Sequence, residues 1–140
     1  MKRLFTLTAI LLFTVIFLSS CVKDRDHVNE ENYWLNQEIG EVVYSSSSCN
    51  YWVVESYNGY NIVYSGSSNK PYEGQIIYGN FSSGGTRELY NFSERFVFTA
   101  TVTDTWLTYS EALDLLDYYC PYGKSAEPRV LKQSTKIQKK

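Results

Sequence analysis

A single histidine limits the acid–base chemistry available to this chain of 140 residues. His27 lies in a polar, acidic stretch near the N-terminus, where we expect a solvated linker residue. Hydrolases with a serine or cysteine nucleophile usually take their general base from histidine, and zinc and iron sites commonly use several histidines. The sequence therefore predicts no catalytic residue, no metal site and no bound cofactor.

Paired carboxylates can act without histidine, as in glycoside hydrolysis. The candidates are Glu55, Glu73, Glu88, Glu94 and Asp104, and their positions along the chain bring no two of them together. Asp104 differs from the others because strand alternation places it on the predicted core face. A small carboxylate-dependent hydrolase is therefore one alternative for the function.

Cys49 and Cys120 are suited to a disulfide. They are the two cysteines that follow the N-terminal segment, and an even pair in an oxidising compartment is typical of a structural bridge. Closing so long a loop would stabilise the fold by about 4 kcal/mol in the chain-entropy model. Two cysteines without a nearby histidine cannot complete a tetrahedral zinc site.

The N-terminal segment has the layout of a secretory signal. Lys2-Arg3 precedes an apolar run over 4–18 that is short for a membrane span, and Ser19-Ser20-Cys21 follows. This pattern resembles the lipobox of bacterial lipoproteins, in which the cysteine thiol is acylated and becomes the first residue of the mature protein. The resemblance implies a signal peptide over residues 1–20 and lipidation at Cys21. It also implies that the protein's partner is a membrane, to which the lipid anchor attaches it.

The residues after the lipobox suggest an address in the envelope. Val22-Lys23-Asp24-Arg25-Asp26 is similar to the export signal of Bacteroidetes-type surface lipoproteins. This similarity implies the outer membrane, on its periplasmic face or at the cell surface. Residues 21–37 would then be the lipidated cysteine and a flexible tether.

Charge is divided between the body and the C-terminus. Five Lys/Arg and fourteen Asp/Glu residues lie between positions 22 and 120, whereas residues 121–140 carry six Lys/Arg and one Glu. An acidic body lacks the clustered positive charge that nucleic acid requires, so nucleic acid is not an expected partner. Residues 123–140 are basic and poor in aromatic residues, which predicts a disordered tail.

Residues 38–122 form the predicted domain, which is mainly β with one C-terminal helix. Asn58-Gly59 between two apolar runs is typical of a hairpin turn that sets Tyr57 opposite Tyr60. Alternation over 95–107 predicts a long strand whose core face carries Phe96, Phe98, Ala100, Val102 and Trp106. Thr108-Tyr109-Ser110-Glu111 is a capping box that begins a helix. Five antiparallel strands, the helix and one disulfide predict a strongly bent sheet or a barrel of the general OB or SH3 kind, with an open sheet on one helix as the alternative.

Aromatic side chains are the remaining candidates for a site, since the chain has thirteen tyrosines, seven phenylalanines and three tryptophans. One face of the predicted hairpin carries Tyr51, Tyr57, Tyr60 and Tyr64. These rings are either covered by another element or form an exposed surface that stacks on sugars or packs on a protein.

A glycine-rich segment supports a further alternative. Ser82-Ser83-Gly84-Gly85-Thr86-Arg87 resembles the Ser-Gly-containing loop of periplasmic lysozyme-inhibitor lipoproteins. The sequence thus favours a membrane-anchored envelope lipoprotein that acts as a non-catalytic binding or structural module for protein or glycan. An inhibitor of a lytic enzyme such as lysozyme and the small hydrolase are the alternatives.

Overall fold

The computed structural model describes residues 25–66, 69–121 and 129–137. The chain divides after Tyr33 into two units, and the second unit, Trp34–Lys140, contains the strands and the second helix. Among the described residues no helix has the length and apolarity to cross a membrane. The elements in chain order are α1 (Arg25–Leu35), β1 (Glu38–Ser45), β2 (Tyr51–Ser56), β3 (Gly59–Tyr64), β4 (Ile76–Gly79), β5 (Gly85–Asn91), β6 (Phe96–Leu107) and α2 (Tyr109–Tyr119).

Six antiparallel strands close into a barrel in the order β1-β2-β3-β6-β5-β4, with β4 pairing back onto β1. The prediction of a mainly β domain with a C-terminal helix is confirmed. The prediction of five strands is wrong because Glu38–Ser45 forms a sixth, and closure of the barrel also excludes the open sheet. β1 gave no alternating pattern because Gly40, Glu41, Val42 and Val43 are all buried in succession.

Apolar side chains pack in two layers, one inside the barrel and one outside it. The inner cluster consists of Val42, Trp52, Val54, Val63, Ile77, Phe81, Leu89, Phe98, Ala100 and Val102. The outer cluster lies between the barrel wall and α2, and consists of Val43, Cys49, Val53, Tyr60, Ile62, Ala112, Leu116, Cys120 and Leu131. The predicted hairpin is therefore apolar on both faces because both of its faces are covered.

The helix α2 begins where the capping box predicts. The Thr108 side chain accepts a hydrogen bond from the Glu111 N–H, and the Thr108 N–H donates to the Glu111 carboxylate at 2.8 Å. At the other end of α2, the predicted bridge between Cys49 and Cys120 is confirmed, with their Cα atoms 5.8 Å apart. The bridge joins the end of α2 to the loop between β1 and β2, so the outer layer is held to the barrel covalently.

The β2–β3 hairpin is present, but its register differs from the predicted one. Ser56 pairs with Gly59, so Tyr57 and Asn58 form the turn and Tyr60 lies opposite Glu55. Gly59 has a φ of 128°, and a Cβ atom at this position would lie 2.7 Å from the Leu107 carbonyl oxygen. The glycine therefore permits a close approach between the hairpin and the end of β6.

Residues 129–137 lie against the barrel, although they fall in the segment 123–140 that the sequence predicts to be disordered. Leu131 is buried in the outer cluster, the Lys132 N–H donates to the Val43 carbonyl at 3.0 Å, and Arg129 forms an ion pair with Asp117 at 2.8 Å. We call residues 129–137 the C-terminal strap. Its basic residues are attracted to acidic residues of the body, and Lys132 forms a second ion pair, with Glu73.

A second difference concerns the predicted tether, residues 21–37. Its described part contains α1 and not an extended chain. Within the second unit Trp34 is buried and its ring stacks on that of Tyr90, with centroids 5.9 Å apart. Burial of this large ring gives Trp34 a fixed place on the barrel. Cys21 and the predicted signal peptide lie outside the described residues.

Candidate functional site

An open cleft of about 430 Å³ lies where the β2–β3 turn meets the junction of β6 and α2. We call it the aromatic cleft, and it is lined by Tyr57, Asn58, Gly59, Tyr60, Trp106, Leu107, Thr108 and Tyr109. The Trp106 side chain is 58% exposed, Tyr57 55% and Tyr109 38%, whereas Tyr60 is buried. The rings of Tyr60 and Tyr109 meet edge to face, 5.8 Å between centroids. Three rings are thus presented to solvent around one buried ring.

Two irregularities in the pairing of β3 with β6 create this cleft. Tyr64 pairs with Thr101 and Tyr60 with Leu107, so β6 spans the same distance with two more residues than β3. A bulge of this kind turns the following side chains away from the face that strict alternation predicts. Trp106, predicted to lie in the core, is therefore exposed and has a φ of 60°. Such a backbone conformation is strained for a bulky residue.

Asn61 holds the strained segment in place. Its side chain is fully buried, and its Oδ1 accepts a hydrogen bond from the Trp106 N–H at 3.2 Å. Its Nδ2 donates to the Ser56 Oγ at 3.0 Å and to the Gly59 carbonyl at 3.3 Å. One amide therefore ties the hairpin end to β6, which fixes the positions of Tyr57 and Trp106 before any ligand arrives.

Tyr60 connects the aromatic cleft to the buried carboxylates. Burial, together with the negative charge of Glu55 and a hydrogen bond to it, raises the pKa of Tyr60 to about 12. The phenol therefore remains a protonated donor throughout the physiological pH range and its hydroxyl is directed to Glu55.

Glu41 and Glu55 lie directly opposite each other on β1 and β2, and both are buried. Like charges in this arrangement repel each other. The C-terminal strap supplies the compensating donors: Ser134 N–H donates to Glu55 at 2.9 Å, and Ser134 Oγ, Thr135 N–H and Lys136 N–H donate to Glu41 at 2.7, 3.0 and 3.1 Å. The two carboxylates are therefore held by the strap, and a substrate would have to displace it to reach them.

Tyr51 and Tyr64, predicted as binding residues, lie at the end of the hairpin remote from its turn. The ring of Tyr51 stacks on that of Tyr119 of α2 at 4.4 Å and contacts that of Tyr64 at 5.1 Å. The Tyr119 hydroxyl donates to Asp104 at 3.0 Å. Asp104 thus faces α2 and not the barrel interior, because the first irregularity in β6 reverses the predicted alternation.

Of the four tyrosines predicted to bind, the structure places only Tyr57 and Tyr60 in the aromatic cleft. The sequence also missed Trp106 and Tyr109, the first because its spacing matched the core face and the second because it follows a helix cap. Glu41 was missed as the partner of Glu55 because β1 was not predicted. The one sequence signal for the cleft was the concentration of aromatic residues on either side of the hairpin turn and the capping box.

The loop over 80–85 is a second ordered surface. Arg87 donates to the carbonyls of Asn80 at 3.1 Å and Gly84 at 2.7 Å, and to the Ser83 hydroxyl at 3.2 Å. The Phe81 N–H donates to the Glu38 carboxylate at 3.3 Å. A single guanidinium thus fixes the shape of a loop made largely of small residues.

The described residues contain no group of three or more His, Cys, Asp and Glu side chains placed to hold a metal ion. Comparison of the chain with protein-family models, with curated proteins and with solved structures found no match.

Proposed function

We propose that this chain is a lipid-anchored lipoprotein of the cell envelope, located in the outer membrane, whose barrel is a non-catalytic module that binds a protein or glycan ligand in the aromatic cleft. Support for the anchor comes from the basic start, the apolar run and Ser19-Ser20-Cys21. Acyl chains on Cys21 would hold the protein at the membrane, since each buried methylene contributes about 0.8 kcal/mol.

The exposed, strained Trp106 is the observation that carries the binding proposal. A left-handed backbone at a bulky residue costs about 1–2 kcal/mol. Because the Trp106 side chain is 58% exposed, burial of its indole offsets little of this cost. Strain of this kind is concentrated at functional sites. Tyr57 and Tyr109 on either side add exposed rings, so a ligand would meet three aromatic side chains at once.

The arrangement of the carboxylates favours binding over catalysis. The strap supplies four donors to Glu41 and Glu55, and the Tyr60 hydroxyl is a further donor to Glu55. Acid–base catalysis needs a carboxylate within reach of a substrate proton. These two carboxylates are instead engaged in holding the outer layer together.

Affinity capture of the lipidated protein from intact cells tests the binding proposal. We expect Trp106→Ala to lose the partners that the wild-type protein retains, and Tyr72→Ala to keep them, because Tyr72 is exposed but does not line the aromatic cleft. Identical capture by wild type and Trp106→Ala would refute the assignment of the ligand site.

Metabolic labelling with a fatty-acid analogue tests the anchor separately. We expect label on the wild-type protein and none on Cys21→Ala. Label that persists in the variant would refute lipidation at this cysteine, whatever the outcome of the capture experiment.

A second candidate function, inhibition of a lytic enzyme such as lysozyme, is favoured by the loop over 80–85. A loop whose shape is fixed in advance loses little entropy on entering an enzyme cleft, and Arg87 supplies that fixation. Inhibition of lysozyme by the wild-type protein that weakens in Arg87→Ala would support this function. Absence of inhibition by the wild-type protein against a panel of lysozymes would contradict it.

A further inference from the structure

We infer that the aromatic cleft binds a neutral carbohydrate chain, an inference that rests on the proposed function of the cleft as the ligand site. The charge of the cleft, its exposed rings and polar side chains and the closure of the barrel favour this class of ligand over ionic ligands and peptides.

Charge excludes an ionic ligand from the cleft. None of its eight lining residues is an Asp, Glu, Lys or Arg. The nearby carboxylate of Glu55 accepts the hydroxyl of Tyr60, and that of Glu111 is engaged by the N–H and hydroxyl of Thr108. An ionised ligand group would therefore lose water in the cleft without gaining a counter-charge. The acidic body repels anionic polymers in addition.

The exposed rings suit the flat faces of sugar rings. Trp106, Tyr57 and Tyr109 are exposed, and each of these side chains combines an electron-rich π face with a polar N–H or O–H group. The C–H groups on one face of a pyranose carry partial positive charge and pack against such a π face, while its hydroxyls point outward to polar partners. A cleft of about 430 Å³ is near the lower end of the range of about 300–1,000 Å³ for ligand pockets, so it would hold part of a chain.

Asn58 supplies the polar complement. It is exposed in the β2–β3 turn between Tyr57 and Gly59, and its side-chain amide carries both donors and an acceptor. Neighbouring hydroxyls of a sugar act as donor and acceptor in the same way, so an amide at the rim matches them. The phenolic hydroxyl of Tyr57 offers a second group of this kind.

A peptide ligand fits the same cleft less well. Peptides commonly satisfy their main-chain groups by adding a strand to a free sheet edge. The six strands here close into a barrel, so each already has a neighbour on both sides. The cleft therefore offers rings to a peptide side chain but no strand edge to its backbone, whereas a sugar needs no such edge.

The cleft is also shaped in advance. Asn61 fixes the backbone of Trp106, and Gly59 allows the hairpin to approach Leu107 closely. Binding therefore need not order either wall of the cleft, and the entropic cost of such ordering does not reduce the affinity for the sugar.

Fluorescence titration of the lipidated full chain in detergent micelles tests the inference. Of the three tryptophans, Trp34 and Trp52 are buried and Trp106 is exposed, so a ligand in the cleft changes the emission of Trp106. The probes are neutral hexasaccharides (cellohexaose, maltohexaose, laminarihexaose and chitohexaose), an acidic hexagalacturonate and a proline-rich peptide. We expect a saturable change with at least one neutral sugar.

Calorimetry on variants completes the experiment. We expect Trp106→Ala to raise the Kd for that sugar by about tenfold or more and Tyr72→Ala to leave it unchanged, with circular dichroism showing that both variants are folded. Failure of all four neutral sugars, or tighter Trp106-dependent binding of the acidic sugar or the peptide, would overturn the carbohydrate inference. If Trp106→Ala then still abolished capture from the envelope, the proposed function would stand; if it did not, both would fail.

Discussion

Truncation of Leu131 tests whether the C-terminal strap is a packed part of the fold. The Leu131 side chain is 2% exposed and lies in the outer cluster, whereas its neighbour Val130 is 69% exposed. Complete burial of a leucine is worth about 1.5–3 kcal/mol, and the cavity left by Leu→Ala adds to this, for a total of about 2–5 kcal/mol. We expect Leu131→Ala to lower the free energy of unfolding by about 3 kcal/mol and Val130→Ala to change it by less than about 0.5 kcal/mol.

The measured loss also has an upper limit. The strap can leave the barrel as a unit while the rest stays folded, so Leu131→Ala cannot cost more than the free energy with which the strap is docked. Urea denaturation of both variants, with the Cys49–Cys120 bridge intact, gives the global value. Limited trypsin digestion gives the local one, because Arg129, Lys132 and Lys136 become cleavable when the strap is released.

The comparison within one segment makes the result decisive. If Leu131→Ala and Val130→Ala had the same stability and the same rate of tryptic cleavage, residues 129–137 would not be packed on the barrel, and the disordered tail that the composition predicts would be correct. A larger loss at Leu131 together with faster cleavage would confirm the strap.

Three further predictions follow from the site and the bridge. Because Trp106 has a φ of 60°, Trp106→Gly should be more stable than Trp106→Ala by about 1 kcal/mol in urea denaturation, the reverse of the usual order in a strand; equal stability would contradict the strained backbone. The pKa of Tyr60 is raised from 10.0 to about 12, so an ultraviolet titration of tyrosinate should lose a phenol that ionises near pH 12 in Tyr60→Phe, and Glu55→Gln should lower that pKa. The pKa of Tyr60 is higher in the folded than in the unfolded state, so the stability linked to its proton is complete below about pH 10 and is lost as the pH rises through about 12. This pH dependence of stability should be absent in Tyr60→Phe. Replacing both Cys49 and Cys120 by serine should cost about 4 kcal/mol for a closed loop of 71 residues, and an unchanged denaturation midpoint would show that the bridge does not constrain the unfolded chain.

Local signals predicted the parts of the fold that depend on neighbouring residues. The capping box at Thr108 positioned the start of α2, and the count of cysteines identified the bridge. Strict alternation also placed Phe98, Ala100 and Val102 in the core. The helix start and the strand alternation depend only on the preferences of a short segment. The bridge could be predicted because two cysteines can pair with each other in one way only.

Features that depend on contacts between distant segments could not be predicted in this way. In the sequence, Trp106 and Asp104 follow the same alternation as the core residues before them. Only the pairing of β6 with β3 shows where the inward–outward alternation of β6 is interrupted. β1 was missed because its residues are buried on both faces, one of them a glutamate. The strap was missed because its main donors to Glu41 and Glu55 include backbone N–H groups, which composition does not reveal.

The pairing of Glu41 with Glu55 has a consequence for the order of folding. These glutamates lie opposite each other on strands that follow one another in the chain. The Ser134 hydroxyl that donates a hydrogen bond to Glu41 lies 93 residues later. Local hairpins form faster than contacts of such high sequence separation. A barrel in which Glu41 and Glu55 are buried before the last residues dock would contain an uncompensated repulsion. We therefore expect the barrel wall and the strap to become stable together.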